Sequence, residues 1–278
     1  MRLQTVPARQ GALWVRQGFL VFFKRPLAFA ALFATFMFGA FVLLLLPFVG
    51  ALIVLALLPL VSLGFMIATR LAIDGGAPSA RVFVDPLRGD ARRRNAMLQL
   101  GVVYAVATFV VMWLGDLVDG GAFDALMQSP PAAQTSPDAM AARLSAPGLG
   151  AGMVVRFGLA GLLALPFWHA PALVHWDGHG CAKALFSSTL ACWRNRGAFA
   201  VYSAVWFALI VVFGMVASLL FALLGQPQWS AFAALPLSLM FATVFYVSLY
   251  FTFADCFVAN VGDAVPGPLH PVTEKETS

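Results

Sequence analysis

Apolar residues fall in continuous blocks far longer than a strand. From Pro26 to Thr69 no charged residue interrupts the chain. As one helix that run would be roughly 66 Å long at about 1.5 Å per residue, twice the ~30 Å hydrocarbon core of a bilayer. It therefore predicts two spans, about 27–46 and 50–70, with a reversal at Pro47-Phe48-Val49-Gly50, where Pro and Gly favour a turn. Four further blocks predict spans at about 97–118, 153–174, 199–224 and 231–257. Gly225-Gln226-Pro227-Gln228 is the turn between the last two. Strands of a membrane barrel are about 10 residues long and alternate in polarity, whereas these blocks are continuous. The predicted fold class is all-α, a polytopic membrane helix bundle of six transmembrane helices. A cleaved signal peptide has a short apolar core followed by polar sequence. Here the apolar run passes straight into the second span, which predicts an uncleaved anchor.

The polar stretches between the blocks carry a repeat. Three times, a short stretch with basic residues near its end precedes two spans: Arg9 to Arg25, about Ser79 to Asn95, and Ala182 to Arg196. Asp74 to Phe83 aligns without a gap over Asp177 to Phe186, and Arg94-Asn95 matches Arg194-Asn195. The second span of each unit has an internal proline, Pro59, Pro166 and Pro236. The expected architecture is three hairpins, each preceded by a short interfacial helix. In the first stretch Gln10, Gln17 and Lys24, with Arg9 and Arg16, make one polar sector at 3.6 residues per turn. That favours an in-plane helix with Trp14 and the phenylalanines in the headgroup boundary. The alternative is a plain lead-in to the first span. The loop 119–152, with Pro130-Pro131 and Pro137, predicts mostly irregular structure, with a short helix from Ser136 through Arg143. A polar tail covers 260–278.

Composition agrees with this pattern and sets its orientation. Of 278 residues 61% are hydrophobic and 10% charged, against about 25% charged in a soluble domain. That excludes a soluble globular chain, and three cysteines exclude a disulfide scaffold. Basic residues are sorted. Arg2, Arg9, Arg16, Lys24 and Arg25 precede span 1; Arg70, Arg81, Arg88 and Arg92-Arg93-Arg94 lie between spans 2 and 3; Lys183, Arg194 and Arg196 lie between spans 4 and 5, and Lys275 is in the tail. The opposite side has Arg143, plus Arg156 just inside span 4. Positive residues stay cytoplasmic, so both termini are expected in the cytoplasm. Cys181, Cys192 and Cys256 then fall on the reducing side. The basic face is expected to meet anionic lipid headgroups, at about 1 kcal/mol per Lys or Arg. Juxtamembrane arginine is explained by topology, so no nucleic-acid partner is expected.

Few polar groups remain as candidates for chemistry. Ser248, Thr252 and Asp255 share one face of span 6. Asp255 either pairs with Arg70 near the inner end or marks a proton or ion path. Asp116 and Arg156 are a second candidate ion pair at the outer end. The richest patch runs from Phe167 to Cys181 and contains His169, His175, Asp177 and His179. His169 and His175 are six residues apart, about 120° around a helix, and Gly178 separates His175 from His179, so no two metal ligands are prepositioned. Asp177-Gly178 reads as a turn and Trp176 as an interfacial anchor. No metal or cofactor is expected. Gly214, Ser218 and Ala222 would let two helices approach closely. No catalytic signature occurs.

Trp14 with Phe22-Phe23-Lys24-Arg25-Pro26, Asp74-Gly75-Gly76-Ala77-Pro78, Ala170-Pro171-Ala172-Leu173-Val174, and Ser187-Ser188 with Cys192 and Arg194-Asn195 together resemble a family of uncharacterised Gram-negative bacterial inner-membrane proteins. The resemblance covers nearly the whole chain and implies an inner-membrane location, with no activity or functional residue to carry over. The hairpin layout is also similar to the membrane domain fused to some glycerophosphodiester phosphodiesterases, whose catalytic domain has no counterpart here. The expected function is a non-enzymatic scaffold or envelope component. The alternative is a carrier for a lipid or small apolar solute, which would need broken helices around a polar site at mid-membrane.

Overall fold

In a computed structural model the described residues are 1–47, 49–128, 141, 144–226 and 229–258. The predicted helix from Ser136 through Arg143 and the tail lie outside them, apart from Ala141. Helix α1 covers Gln10–Lys24, α2 Pro26–Leu44, α3 Val49–Ile73, α4 Asp85–Arg88, α5 Ala91–Asp119, α6 Ala122–Met127, α7 Leu149–Phe167, α8 Ala170–Asp177, α9 Cys181–Arg194, α10 Arg196–Leu223 and α11 Trp229–Cys256. Six helical segments are long and apolar enough to cross a membrane: Pro26–Leu44, Val49–Ile73, Ala91–Asp119, Leu149–Asp177, Arg196–Leu223 and Ala234–Cys256. Each predicted span has its counterpart, with ends displaced by a few residues. Pro59, Pro166 and Pro236 lie inside α3, α7 and α11.

Two expectations change. The span expected as one helix over 153–174 is broken at Trp168-His169, and α8 starts afresh with Pro171 in its first turn. Proline has no N–H to give to the carbonyl four residues back, so the bond from residue 171 to Phe167 O is missing where α7 stops. The stretch 79–95 is not one helix. It folds as a 3₁₀ turn at Ala80–Phe83 and the single-turn α4, and α5 starts only at Ala91, where Asp90 caps it by accepting from Arg92 N–H at 3.1 Å.

The chain divides into two units: Met1–Phe38, Ser62–Asp85 and Leu190–Ser278 form the first, Gly39–Val61 and Pro86–Thr189 the second. The first is organised around α1. Gly11, Trp14, Val15, Gly18, Val21 and Phe22 form its buried stripe, while Leu13, Leu20 and Phe23 are exposed. Gly11 rests on the backbone of Ala198 and Tyr202, and Gly18 on Val244 and Ser248. Further along, Phe19 meets Trp206 and Phe241, with ring centroids 5.9 and 6.1 Å apart. The contacts ascend α10 and descend α11, so α1 lies lengthwise on two spans. Trp14 is fully buried, 5.3 Å from the Phe199 ring. It is a core residue rather than the headgroup anchor expected from an in-plane helix. The two glycines are the physical reason, because they let backbones touch where side chains would hold the helices apart.

Strand β1 (Arg2–Leu3) pairs antiparallel with β2 (Phe257–Val258), bringing the chain's first residues to the end of α11. Elsewhere in this unit Phe65 of α3 stacks on Tyr246 of α11 at 5.0 Å, and Thr69 Oγ donates to Phe65 O at 2.8 Å. In the second unit α5 packs along α7, with Tyr104 edge-on to Phe167 at 4.9 Å. Gly101 of α5 sits against the Ala56 backbone.

Three polar contacts link the start of one span to the end of the next. Arg25 Nη2 donates to Gly75 O at 2.5 Å, Arg93 Nη1 to His175 O at 3.0 Å, and Asn195 Nδ2 to Cys256 Sγ at 3.4 Å. The last carbonyls of a helix have no partner within it and carry partial negative charge, so a guanidinium there is favourable. Gly75 and Gly178 close α3 and α8 with φ of +84° and +64°, the left-handed conformation that glycine adopts at least cost.

Candidate functional site

Two polar clusters and one cleft gather the candidates. The first cluster closes the loop end of the second unit. Arg156, near the start of α7, reaches Asp116 and Asp119 at the end of α5. Nη1 donates to Asp119 Oδ2 at 2.5 Å, and Nη2 bonds Asp116 Oδ1. Glycine makes the room. A Cβ on Gly115 would lie 2.5 Å from Arg156 Nε, and one on Gly152 2.6 Å from Asp119 Oδ2. The guanidinium also lies 4.7 Å over the Phe123 ring of α6, a cation–π contact. Asp119 Oδ1 accepts from Gly121 N–H at 2.9 Å. Arg156 and Asp119 are closed from solvent, whereas the Asp116 side chain is 38% exposed. Two carboxylates around one guanidinium leave a net charge of minus one. Asp116 is the carboxylate expected for Arg156, and Asp119 is a second partner that was not expected. The signal was present, since a separation of three residues puts both on one helix face.

From this cluster an apolar cleft of about 260 Å³ runs between α5 and α7. Its walls include Tyr104, Thr108 and Val111 on one side and Phe157, Ala160 and Ala164 on the other. Ala164 is eight positions after Arg156 on α7, roughly 12 Å along the helix.

The second cluster lies in the first unit around Asp255. Asp255 Oδ2 accepts from Gln10 Nε2 at 2.6 Å and Trp14 Nε1 at 2.7 Å. Arg70 makes no ion pair with it among the described residues, so the expected pairing of Arg70 with Asp255 is not formed. The reason is α1, whose position along α11 puts two N–H donors at the carboxylate first. Asn195, at the α9–α10 corner, is a hub. Its Oδ1 accepts from Val6 N–H at 2.8 Å, and its Nδ2 donates to Gln4 O at 3.1 Å as well as to Cys256. Ser248 and Thr252 give their hydroxyl protons to carbonyls of their own helix, Phe245 O and Leu249 O. Tyr202 OH and Ser248 Oγ lie 2.6 Å apart.

The patch from His169 to Cys181 is dispersed. His169 is fully buried, and its backbone N–H donates to Ser188 Oγ at 2.9 Å. His175 offers its carbonyl to Arg93 and packs its ring by Trp176, with centroids 5.7 Å apart. Asp177 Oδ2 is 2.9 Å from His179 Nε2. Burial holds the His179 pKa below its usual value, aided by Lys183 and opposed by Asp177. Burial also pushes the Cys181 thiol up. Among the described residues no three His, Cys, Asp or Glu side chains converge as a metal ion would need.

The chain is similar to a probable inner membrane protein of Burkholderia thailandensis. The two are 35% identical over 260 residues, covering 92% of this chain and 94% of the relative. No family profile matches the chain, and no solved structure matches it. The likeness to the membrane part of glycerophosphodiester phosphodiesterases is not shown by these comparisons.

Proposed function

The chain belongs to the family of that probable inner membrane protein, and on this premise we propose that it is a non-enzymatic structural component of the inner membrane. In this reading the six spans form three hairpins with both termini in the cytoplasm, and the arginine-rich face meets anionic lipid headgroups rather than nucleic acid. The stretches before the second and third hairpins line that face, whereas α1 packs along α10 and α11. One observation carries the reading: Asp255, Arg156 and Asn195 each tie separate elements together. Asp255 receives Gln10 and Trp14, Arg156 grips two aspartates, and Asn195 joins the chain's start to the end of α11. The tethers Arg25–Gly75, Arg93–His175 and Asn195–Cys256 support the hairpin layout. The pairing of β1 with β2 supports one side for the first residues and the end of the last span.

The test is complementation. A deletion strain is scored for detergent sensitivity and rescued with Asp255→Asn and His169→Asn, each checked for membrane abundance. A structural role predicts rescue by both, since an amide can still accept from Gln10 and Trp14. A variant present at the normal level that fails to rescue would refute the structural reading. A second reading, carriage of a lipid or small apolar solute, is favoured by the cleft between α5 and α7. Protein-dependent transfer of labelled lipid between donor and acceptor vesicles tests it.

A further inference from the structure

We propose that the cleft between α5 and α7 is a binding site for one membrane lipid with an ammonium headgroup, of the phosphatidylethanolamine class. The acyl chain lies along Ala160 and Ala164, and the headgroup lies at Asp116. Three observations fit together. The cleft lies between two segments long and apolar enough to cross a membrane, and Phe157 of its lining is 69% exposed, where an enclosing bilayer would meet it. An occupant comes from the bilayer. Beyond Arg156 the cleft walls are largely apolar, and the small side chains of Ala160 and Ala164, one turn apart on α7, lie along a groove that runs roughly 12 Å from Arg156, the scale of an extended acyl chain segment. Charge then selects the headgroup. Arg156 is already held by both aspartates, and the cluster's net charge is minus one. Its exposed member is a carboxylate: Asp116 lies just past the end of the cleft, one turn beyond Met112 of its lining and bonded to Arg156 of its lining, and is 38% exposed while Asp119 is closed. An ammonium next to Asp116 is complementary, whereas an anionic headgroup without one meets like charge. The same bilayer thus offers anionic lipid to the arginine-rich face and aminophospholipid to this cleft.

The site does not depend on the structural reading above, nor on transport: retention of lipid tests the site, and transfer between vesicles tests carriage. Purified protein is reconstituted in nanodiscs with equal phosphatidylethanolamine and phosphatidylglycerol, re-extracted in mild detergent, and its retained lipid measured by native mass spectrometry. The wild type should retain phosphatidylethanolamine at least about fivefold over phosphatidylglycerol. Ala160→Phe, which fills the groove, should remove the retained lipid. Asp116→Asn should bring the ratio close to one. If Ala160→Phe fails to fold, Ala164→Leu narrows the same groove and should lower retention severalfold. Equal retention of the two lipids by the wild type overturns the proposal. So does retention unchanged in a folded groove-filling variant.

Discussion

Gly11→Ala should release α1 from the first unit, and the native cysteines report it. The added Cβ would meet Ala198 O and lie 2.6 Å from Tyr202 N, both backbone atoms of α10 that no rotamer change can move. Overpacking costs about 1–3 kcal/mol, and an unyielding backbone contact belongs at the upper end. Alanine regains roughly 1 kcal/mol of helix propensity over glycine. The net of about 2 kcal/mol raises the open population some 30-fold, at a factor of ten per 1.4 kcal/mol. Cys256 is fully buried and Cys192 is 2% exposed. Both lie by the contacts that hold residues 2–6 to Asn195 and β2, so they stay closed while the N-terminal segment is docked. Maleimide labelling in micelles, resolved by peptide mass spectrometry, should therefore modify Cys256 roughly 30-fold faster in Gly11→Ala than in the wild type. Cys181 is only partly buried and should label at the same rate in both. Gly158→Ala is the control, because nothing lies within 4 Å of its added carbon. If Gly11→Ala labels Cys256 no faster than Gly158→Ala does, α1 is not seated on α10 as described and the steric argument fails.

Further outcomes follow from other contacts. Trp14→Phe keeps the buried ring but removes a charge-assisted hydrogen bond to Asp255, so chemical unfolding in micelles should register a loss of about 2 kcal/mol; no loss would mean that Gln10 alone satisfies the carboxylate. Arg156→Met should lower the melting temperature more than Asp116→Asn, because it leaves closed Asp119 without its partner, and adding Asp119→Asn to Arg156→Met should restore part of the loss. An Arg156→Met melt equal to that of the wild type would show the cluster to be idle. His179 should titrate below 6.5 by NMR, and Asp177→Asn should lower it again, since that carboxylate favours the imidazolium. A depressed folded pKa means the unfolded chain binds the proton first. His179 therefore contributes nothing above pH 6.5, and stability falls as pH drops from there through the folded pKa. A titration at or above 6.5 would contradict the burial.

Much of the architecture was legible in the chain because a bilayer imposes a length on apolar segments. Six blocks gave six spans, and Pro and Gly marked the reversals after the first and the fifth. The Asp116–Arg156 contact was readable because few charges occur in the spans, and an isolated arginine there needs an acid. The pairing of Arg70 with Asp255 failed for the complementary reason. That pairing supposes α1 to lie away from span 6, in the plane of the membrane surface. Gly11 and Gly18 carried the contrary signal, but seven-residue spacing of glycines has meaning only once the backbones they admit are known.

What the sequence alone determined, then, is what depends on distance along the chain: the number of spans and their boundaries within a few residues. Tertiary structure alone decided what depends on distance through space. It set α1 against α10 and α11, gave Asp255 to Trp14 and Gln10, made Asp119 the second partner of Arg156, and opened a cleft where Ala160 and Ala164 face α5. Hydrophobic burial in lipid is nearly uniform along an apolar helix, so it fixes that a segment inserts without fixing which face meets which neighbour. That choice rests on close packing at a few glycines and on the need of each polar group in a bilayer to find a partner.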